Sequence, residues 1–155
     1  MTGGVMKWIQ SLGLTGKTLD VGSLNVCGCV RRFFKDYTGL DMRPGRNVDI
    51  VANAHAIPFP DETFDTVVCL EMLEHDSAPW LTLPELARVT KPGGIVAVTA
   101  RGIHHPKHNF PSDYWRFTVE GLRVLLGDVA GLEVLSGFEP PTERGVFGHG
   151  RRPGK

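Results

Sequence analysis

The chain carries no net charge, few cysteines and no long apolar run, and each shortage closes off a class of protein. Seventeen lysines and arginines balance 17 aspartates and glutamates across 155 residues. Non-specific nucleic-acid binding draws on a positive field that is missing here, so no nucleic-acid partner is expected. The three cysteines, Cys27, Cys29 and Cys69, form no C-x-x-C pair. They are read as small buried residues in a reducing compartment rather than a disulfide framework. No stretch approaches the ~20 apolar residues of a membrane span. The N-terminus also lacks a signal peptide's apolar core, so a cytoplasmic protein without a membrane partner is expected. Phosphate-binding signatures are absent too. Gly22 and Gly28 are too far apart for G-x-G-x-x-G, and no Lys-Ser/Thr ending marks a P-loop. A dinucleotide or ATP site is thereby disfavoured.

What is present is alternation. Nineteen glycines and 11 prolines punctuate short apolar runs. Helical spacing predicts a helix over 5–14 and a second helical pattern over 30–35. Apolar, β-prone runs predict strands at 18–21, 37–41, 49–52, 64–70 and 95–99, with weaker ones at 132–135 and 146–147. Ser77 is read as the cap of a helix running toward Thr90, kinked or restarted at Pro84 and stopped by Lys91-Pro92-Gly93-Gly94. Thr118 caps a later helix. The order predicts an α/β fold: a Rossmann-like, doubly wound, mainly parallel sheet with helices on both faces. A single domain over 1–150 and a flexible tail over 151–155 are expected.

Ligands in such sheets bind beyond the carboxyl ends of the strands. Three candidates fall there. Leu19-Asp20-Val21-Gly22-Ser23 closes the first strand with a turn that lets the backbone come close to a ligand. Asp41 ends the second strand, where a carboxylate accepts from vicinal ribose hydroxyls. Asn53-Ala54-His55 follows the third and offers an amide and a backbone N–H to an adenine edge. A nucleoside pocket without a phosphate cradle favours S-adenosylmethionine.

These residues make the chain resemble the class I S-adenosylmethionine-dependent methyltransferases of the small, type 11-like kind. Leu19–Ser23 is similar to the family's first motif, and Leu40-Asp41 to its ribose-binding acid. Residues 53–65, Asn53 through Asp65, resemble its D-A-x-x-L-P-F-x-D…F-D segment, and Arg88–Gly94 its R-V-L-K-P-G-G turn. The resemblance spans about residues 17–140. It implies a minimal class I methyltransferase fold with S-adenosyl-L-methionine as cofactor. By that likeness Asp20 holds the methionine ammonium, directly or through water, Gly22 and Ser23 approach the methionine moiety, and Asp41 grips the ribose. Met42 packs on the adenine, Asn53 and Ala54 read its edge, and Leu70 opens the segment passing beneath the methionine end. The departures are Leu24 in place of the usual second glycine, Asn53 in place of an acid, and a linker over 42–48 in place of a helix.

For the acceptor side, His75, His104 and Asp113 are candidate proton acceptors. Glu71 and Glu74 read as solvated acids. His104, His105 and His108 lie close together, but no fourth ligand follows at a zinc spacing and Pro106 intervenes, so no metal is expected. Asp113 and Arg116 either pin their loop as an ion pair or, with Tyr114 and Trp115, meet substrate. The expected activity is methyl transfer to an O, N or C atom of a small molecule. The rivals are a non-catalytic binding module and a nucleic-acid methyltransferase, the latter lacking any N-P-P-Y or D-P-P-Y run. No motif specifies the acceptor or the oligomeric state.

Overall fold

The computed structural model describes residues 2–25, 28–108, 111–141 and 143–154; Cys27 therefore lies outside the described residues. Its apolar runs form strands β1 (Lys17–Val21), β2 (Asp36–Asp41), β3 (Ile50–Val51), β4 (Phe64–Leu70), β5 (Thr90–Arg101), β6 (Glu133–Phe138) and β7 (Gly145–Arg151). They join in one sheet of order β3-β2-β1-β4-β5-β7-β6. Strands β1 to β5 pair in parallel, while β7 runs antiparallel between β5 and β6. The direction of the order reverses between β1 and β4. A crevice opens there beyond the strand ends.

Burial follows the two-residue period of a sheet. Val67, Cys69, Val96 and Val98 point to one face and pack with Leu83 and Leu86 of α2 (Pro79–Val89) and Leu122 of α3 (Val119–Val124). Val68, Leu70, Ala97 and Phe147 point to the other, covered by Val5 and Ile9 of α1 (Gly3–Ser11). Thr2 caps α1 by accepting from the Val5 N–H, and Thr118 caps α3 by accepting from that of Gly121.

Several local expectations need correction. Only a turn, Arg31–Phe33, forms where a helical pattern was read. Val30 is buried there, but β2 begins at Asp36 and leaves no room for further turns. Helix α2 runs through Pro84 without a restart. The carbonyl that loses its helical donor is that of Trp80, and both residues are exposed, so the gap faces solvent. Its start is held by Asp76, whose carboxylate accepts from the Ala78 N–H at 2.9 Å, rather than by Ser77. Lys91–Gly94 ends α2 but forms a bulge inside β5: Phe64 pairs with Thr90 and Thr66 with Ile95. Arg151 and Arg152, expected in a tail, are fastened. Arg151 lies in β7, and Arg152 donates to the carbonyls of Ala87, Arg88 and Thr90 beneath α2.

Candidate functional site

The tips of β1, β2, β3 and β4 surround a cavity of about 530 Å³. Its first wall is the turn after β1. Gly22 adopts φ +84°, and a Cβ there would lie 2.5 Å from the Met72 side chain, so the turn needs glycine to admit that methionine. The N–H groups of Gly22 and Ser23 both donate to the Leu40 carbonyl, at 2.8 and 3.0 Å. The backbone is thus tied to β2 rather than aimed at a ligand. Asp41 accepts from the N–H of Leu24 at 3.2 Å and of Arg43 at 3.0 Å, which fixes its carboxylate at the rim.

Asp20 lies on the cavity floor, 3% exposed. Its partner is Tyr37, whose hydroxyl donates to Oδ2 at 2.5 Å and accepts from Asn47 Nδ2 at 2.7 Å. Burial pushes the Asp20 carboxyl up to about 7, the Tyr37 hydrogen bond opposes it, and the charge of Asp41 adds to it. Burial and the neighbouring Asp20 push the Tyr37 phenol up as well. Ser23 Oγ is buried without a hydrogen-bond partner among the described residues.

The opposite wall comes from the segment between β4 and α2. Glu71 is held at φ +56°, a costly conformation for a residue with a Cβ, by the Thr99 carbonyl accepting from its N–H. Glu74, expected as a solvated acid, has a side chain only 1% exposed. Arg101 serves both acids: its Nη2 lies 2.6 Å from Glu71 Oε2 as an ion contact without hydrogen-bond alignment, and its Nε 3.6 Å from Glu74 Oε1. Burial, with the charge of Glu71, pushes the Glu74 carboxyl up to about 7, while Arg101 opposes this. The distant loop 111–117 closes over this segment. Tyr114 donates its N–H to the Glu74 carbonyl at 2.7 Å, and Trp115 its Nε1–H to the Asp76 carbonyl at 2.7 Å. His75 pairs through Nδ1 with the Ser112 carbonyl at 2.8 Å, and burial lowers its pKa.

All eight residues read as cofactor-binding from sequence (Asp20, Gly22, Ser23, Asp41, Met42, Asn53, Ala54 and Leu70) line this one cavity, and so does His75. Met42 is 71% exposed at its rim. Asn53 differs in detail from expectation, because its Oδ1 already accepts from the His55 N–H at 2.9 Å. Its amide nitrogen and the second lone pair of Oδ1 remain to meet a base edge. His104 and Asp113 are placed elsewhere. His104 is exposed and outside the cavity lining. Asp113 receives Arg116 through both guanidinium nitrogens at 2.5 Å and the His108 N–H at 2.9 Å. The Arg116 guanidinium holds its carboxyl well below the usual range, which makes it a weak proton acceptor. Glu71, Glu74, Arg101 and His108 also line the cavity and were not singled out as site residues. Their signal in sequence is position alone: Arg101 ends β5, and the others follow β4 or β5.

The residues fit a nucleoside carrying a cation. A buried acid without a cationic partner among the described residues lies at one end, an unpartnered buried hydroxyl beside it, and a rim carboxylate at the tip of β2. The fold and site thus define a Rossmann-like domain that binds a nucleoside at its topological switch point. The chain matches the family described as "Methyltransferase domain" over residues 19–98. It belongs to that family, the class I S-adenosylmethionine-dependent methyltransferases. An uncharacterized methyltransferase of Mycobacterium tuberculosis is 30% identical, the match covering 63% of this chain and 50% of that protein. The chain spans about half the length of the curated relatives it matches. Among solved structures, Burkholderia thailandensis 1,6-didemethyltoxoflavin-N1-methyltransferase, with 1,6-didemethyltoxoflavin and S-adenosylhomocysteine bound, shares the fold. Its TM-score is 0.77 at 16% identity, covering 98% of this chain and 78% of that one. A SAM-dependent methyltransferase from Methanosarcina mazei gives a TM-score of 0.70 at 16% identity, covering 100% and 99%.

Proposed function

We propose that the protein transfers a methyl group from S-adenosylmethionine to an O, N or C atom of a small molecule. The observation that carries this reading is that Asp20, buried without a cation among the described residues, and Asp41 at the β2 tip line one cavity. When bound, the sulfonium supplies an activated methyl, so the chain's task is to align donor and acceptor and exclude water. Asp41 accepts from the ribose hydroxyls, and Met42 at the rim covers the base. The Asn53 amide and Ala54 meet the adenine edge, while Leu70 lines the floor. Asp20 takes the methionine ammonium, and the cation draws its proton off, because a nearby positive charge favours the ionised carboxylate. His75 is the candidate base on the acceptor side. Its Nδ1 faces the Ser112 carbonyl, which only accepts, so its Nε2 keeps a lone pair. His104 and Asp113, the other sequence candidates, do not line the cavity. No described helix is long and apolar enough to cross a membrane, and the net charge of zero favours a small acceptor over nucleic acid.

Calorimetry with S-adenosylhomocysteine tests the reading. We expect one site, weakened about tenfold or more in Asp41→Ala, which loses charge-assisted hydrogen bonds worth roughly 1.5–3 kcal/mol each. Absence of binding heat points to the rival, a non-catalytic module of the same fold, and unchanged affinity in Asp41→Ala sinks the pocket assignment.

A further inference from the structure

We propose that Glu74, His75 and His108 form a binding site for one first-row divalent cation, zinc foremost, at the acceptor end of the cleft. One ligand atom from each of the three lies within 4.8 Å of the other two. The imidazole rings of His75 and His108 are 4.7 Å apart, and His75 Nε2 is 3.9 Å from Glu74 Oε1. Zinc ligands at bond lengths near 2 Å sit roughly 3.3 Å from one another, so the set needs to draw in by about an ångström.

Independent evidence comes from Glu74. Its side chain is 1% exposed, it lines the cavity, and Oε2 has no hydrogen-bond partner among the described residues. A buried carboxylate oxygen left unpaired is costly, and a cation relieves that cost. The arrangement behind His75 points the same way. Nδ1 faces the Ser112 carbonyl at 2.8 Å and so carries the proton, leaving the Nε2 lone pair on the side of Glu74. A backbone carbonyl holding the remote ring nitrogen is the usual support of a metal-ligating histidine. His108 is positioned by its N–H donating to Asp113, itself clamped by Arg116.

The local charges permit a cation. Arg101 is the cationic group paired with Glu71 and Glu74, and its shorter contact, 2.6 Å, is to Glu71. The ion therefore competes with Arg101 only for the longer contact to Glu74, at 3.6 Å. Two imidazoles and one carboxylate form a donor set that suits zinc and leave a fourth position open; with the ion bound, His75 Nε2 is a ligand and no longer the base. Resting on the methyl-transfer reading, that open position suits an acceptor offering an oxygen or nitrogen lone pair. The set takes only His108 from the histidine run that lacks a zinc spacing. Its other members come from the segment after β4, a convergence that linear spacing hides.

The test uses the full chain stripped of metal. Zn²⁺ is titrated against a chromophoric chelator and Co²⁺ is followed by its d–d absorption, with S-adenosylhomocysteine calorimetry in parallel. We expect one equivalent of Zn²⁺ and a low-coordinate cobalt spectrum. His108→Ala and Glu74→Gln should each weaken Zn²⁺ about 100-fold or more, exceeding the loss typical of outer-shell changes. If Glu74→Gln fails to fold, His108→Ala decides alone, since that side chain lies in a partly exposed loop. Absence of stoichiometric binding, or binding that His108→Ala leaves intact, overturns the site. Zinc failure with cofactor heat retained sinks the metal site only. The reverse sinks the methyl-transfer reading only.

Discussion

Replacing Asp20 with asparagine separates what the buried charge does for binding from what it costs the fold. Asp20 is 3% exposed, and its carboxyl rises from 3.8 to about 7, chiefly through burial. An acid whose pKa is higher in the folded state contributes stability below its unfolded pKa. That contribution is lost as pH rises from about 4 to about 7 and stays lost above. Each tenfold in proton affinity is worth about 1.4 kcal/mol, which puts the loss at roughly 4 kcal/mol, or nearer 2 if the interior relaxes around the charge. The asparagine side chain keeps an oxygen for the Tyr37 hydroxyl and never ionises. In urea unfolding, the Asp20→Asn protein should gain on the wild type by about 2–4 kcal/mol between pH 4 and pH 8, with the difference flat above pH 7. Affinity for S-adenosylhomocysteine should fall about tenfold or more at pH 8, since the ammonium loses a charge-assisted partner. A stability difference that does not vary with pH would refute the reasoning about burial. A variant that binds as tightly as the wild type would remove Asp20 from the ammonium site.

Three further outcomes follow from the geometry. Gly22→Ala forces a side chain into φ +84° with its Cβ 2.5 Å from Met72; we expect about 1–3 kcal/mol lost by thermal or urea unfolding and weakened cofactor binding. Arg152→Ala removes the guanidinium from the carbonyls of Ala87, Arg88 and Thr90, and should destabilise by about 1–3 kcal/mol, whereas a free tail would show no change. Phe64→Ala empties a fully buried site at the start of β4 and should cost about 3–5 kcal/mol in the same assay.

Much of the sheet was legible because its signals are local. The run 64–70 has the composition of a strand buried on both faces, and β4 occupies those positions. Asp41 falls at the tip of β2 because strand ends follow from where the apolar run stops. What escaped depends on partners distant in sequence. The Lys91–Gly94 turn reads as a stop signal, yet β4 and Arg152 clasp it into a bulge of β5. Glu74 reads as a surface acid because nothing nearby in sequence hides it, yet its side chain is buried beside Arg101, and loop 111–117 bonds to its carbonyl. Periodicity over 30–35 marked the side that packs inward, but the early start of β2 limited it to one turn. Of the two roles the sequence offered Asp113, proton acceptor or ion pair with Arg116, the structure shows the ion pair, through both Arg116 nitrogens.

The most direct check is a crystal structure of the complex with S-adenosylhomocysteine. The ribose should lie within hydrogen-bond distance of Asp41, the adenine between Met42 and Asn53, and the amino group toward Asp20. A nucleoside bound elsewhere, or one whose ribose does not meet Asp41, would contradict the account.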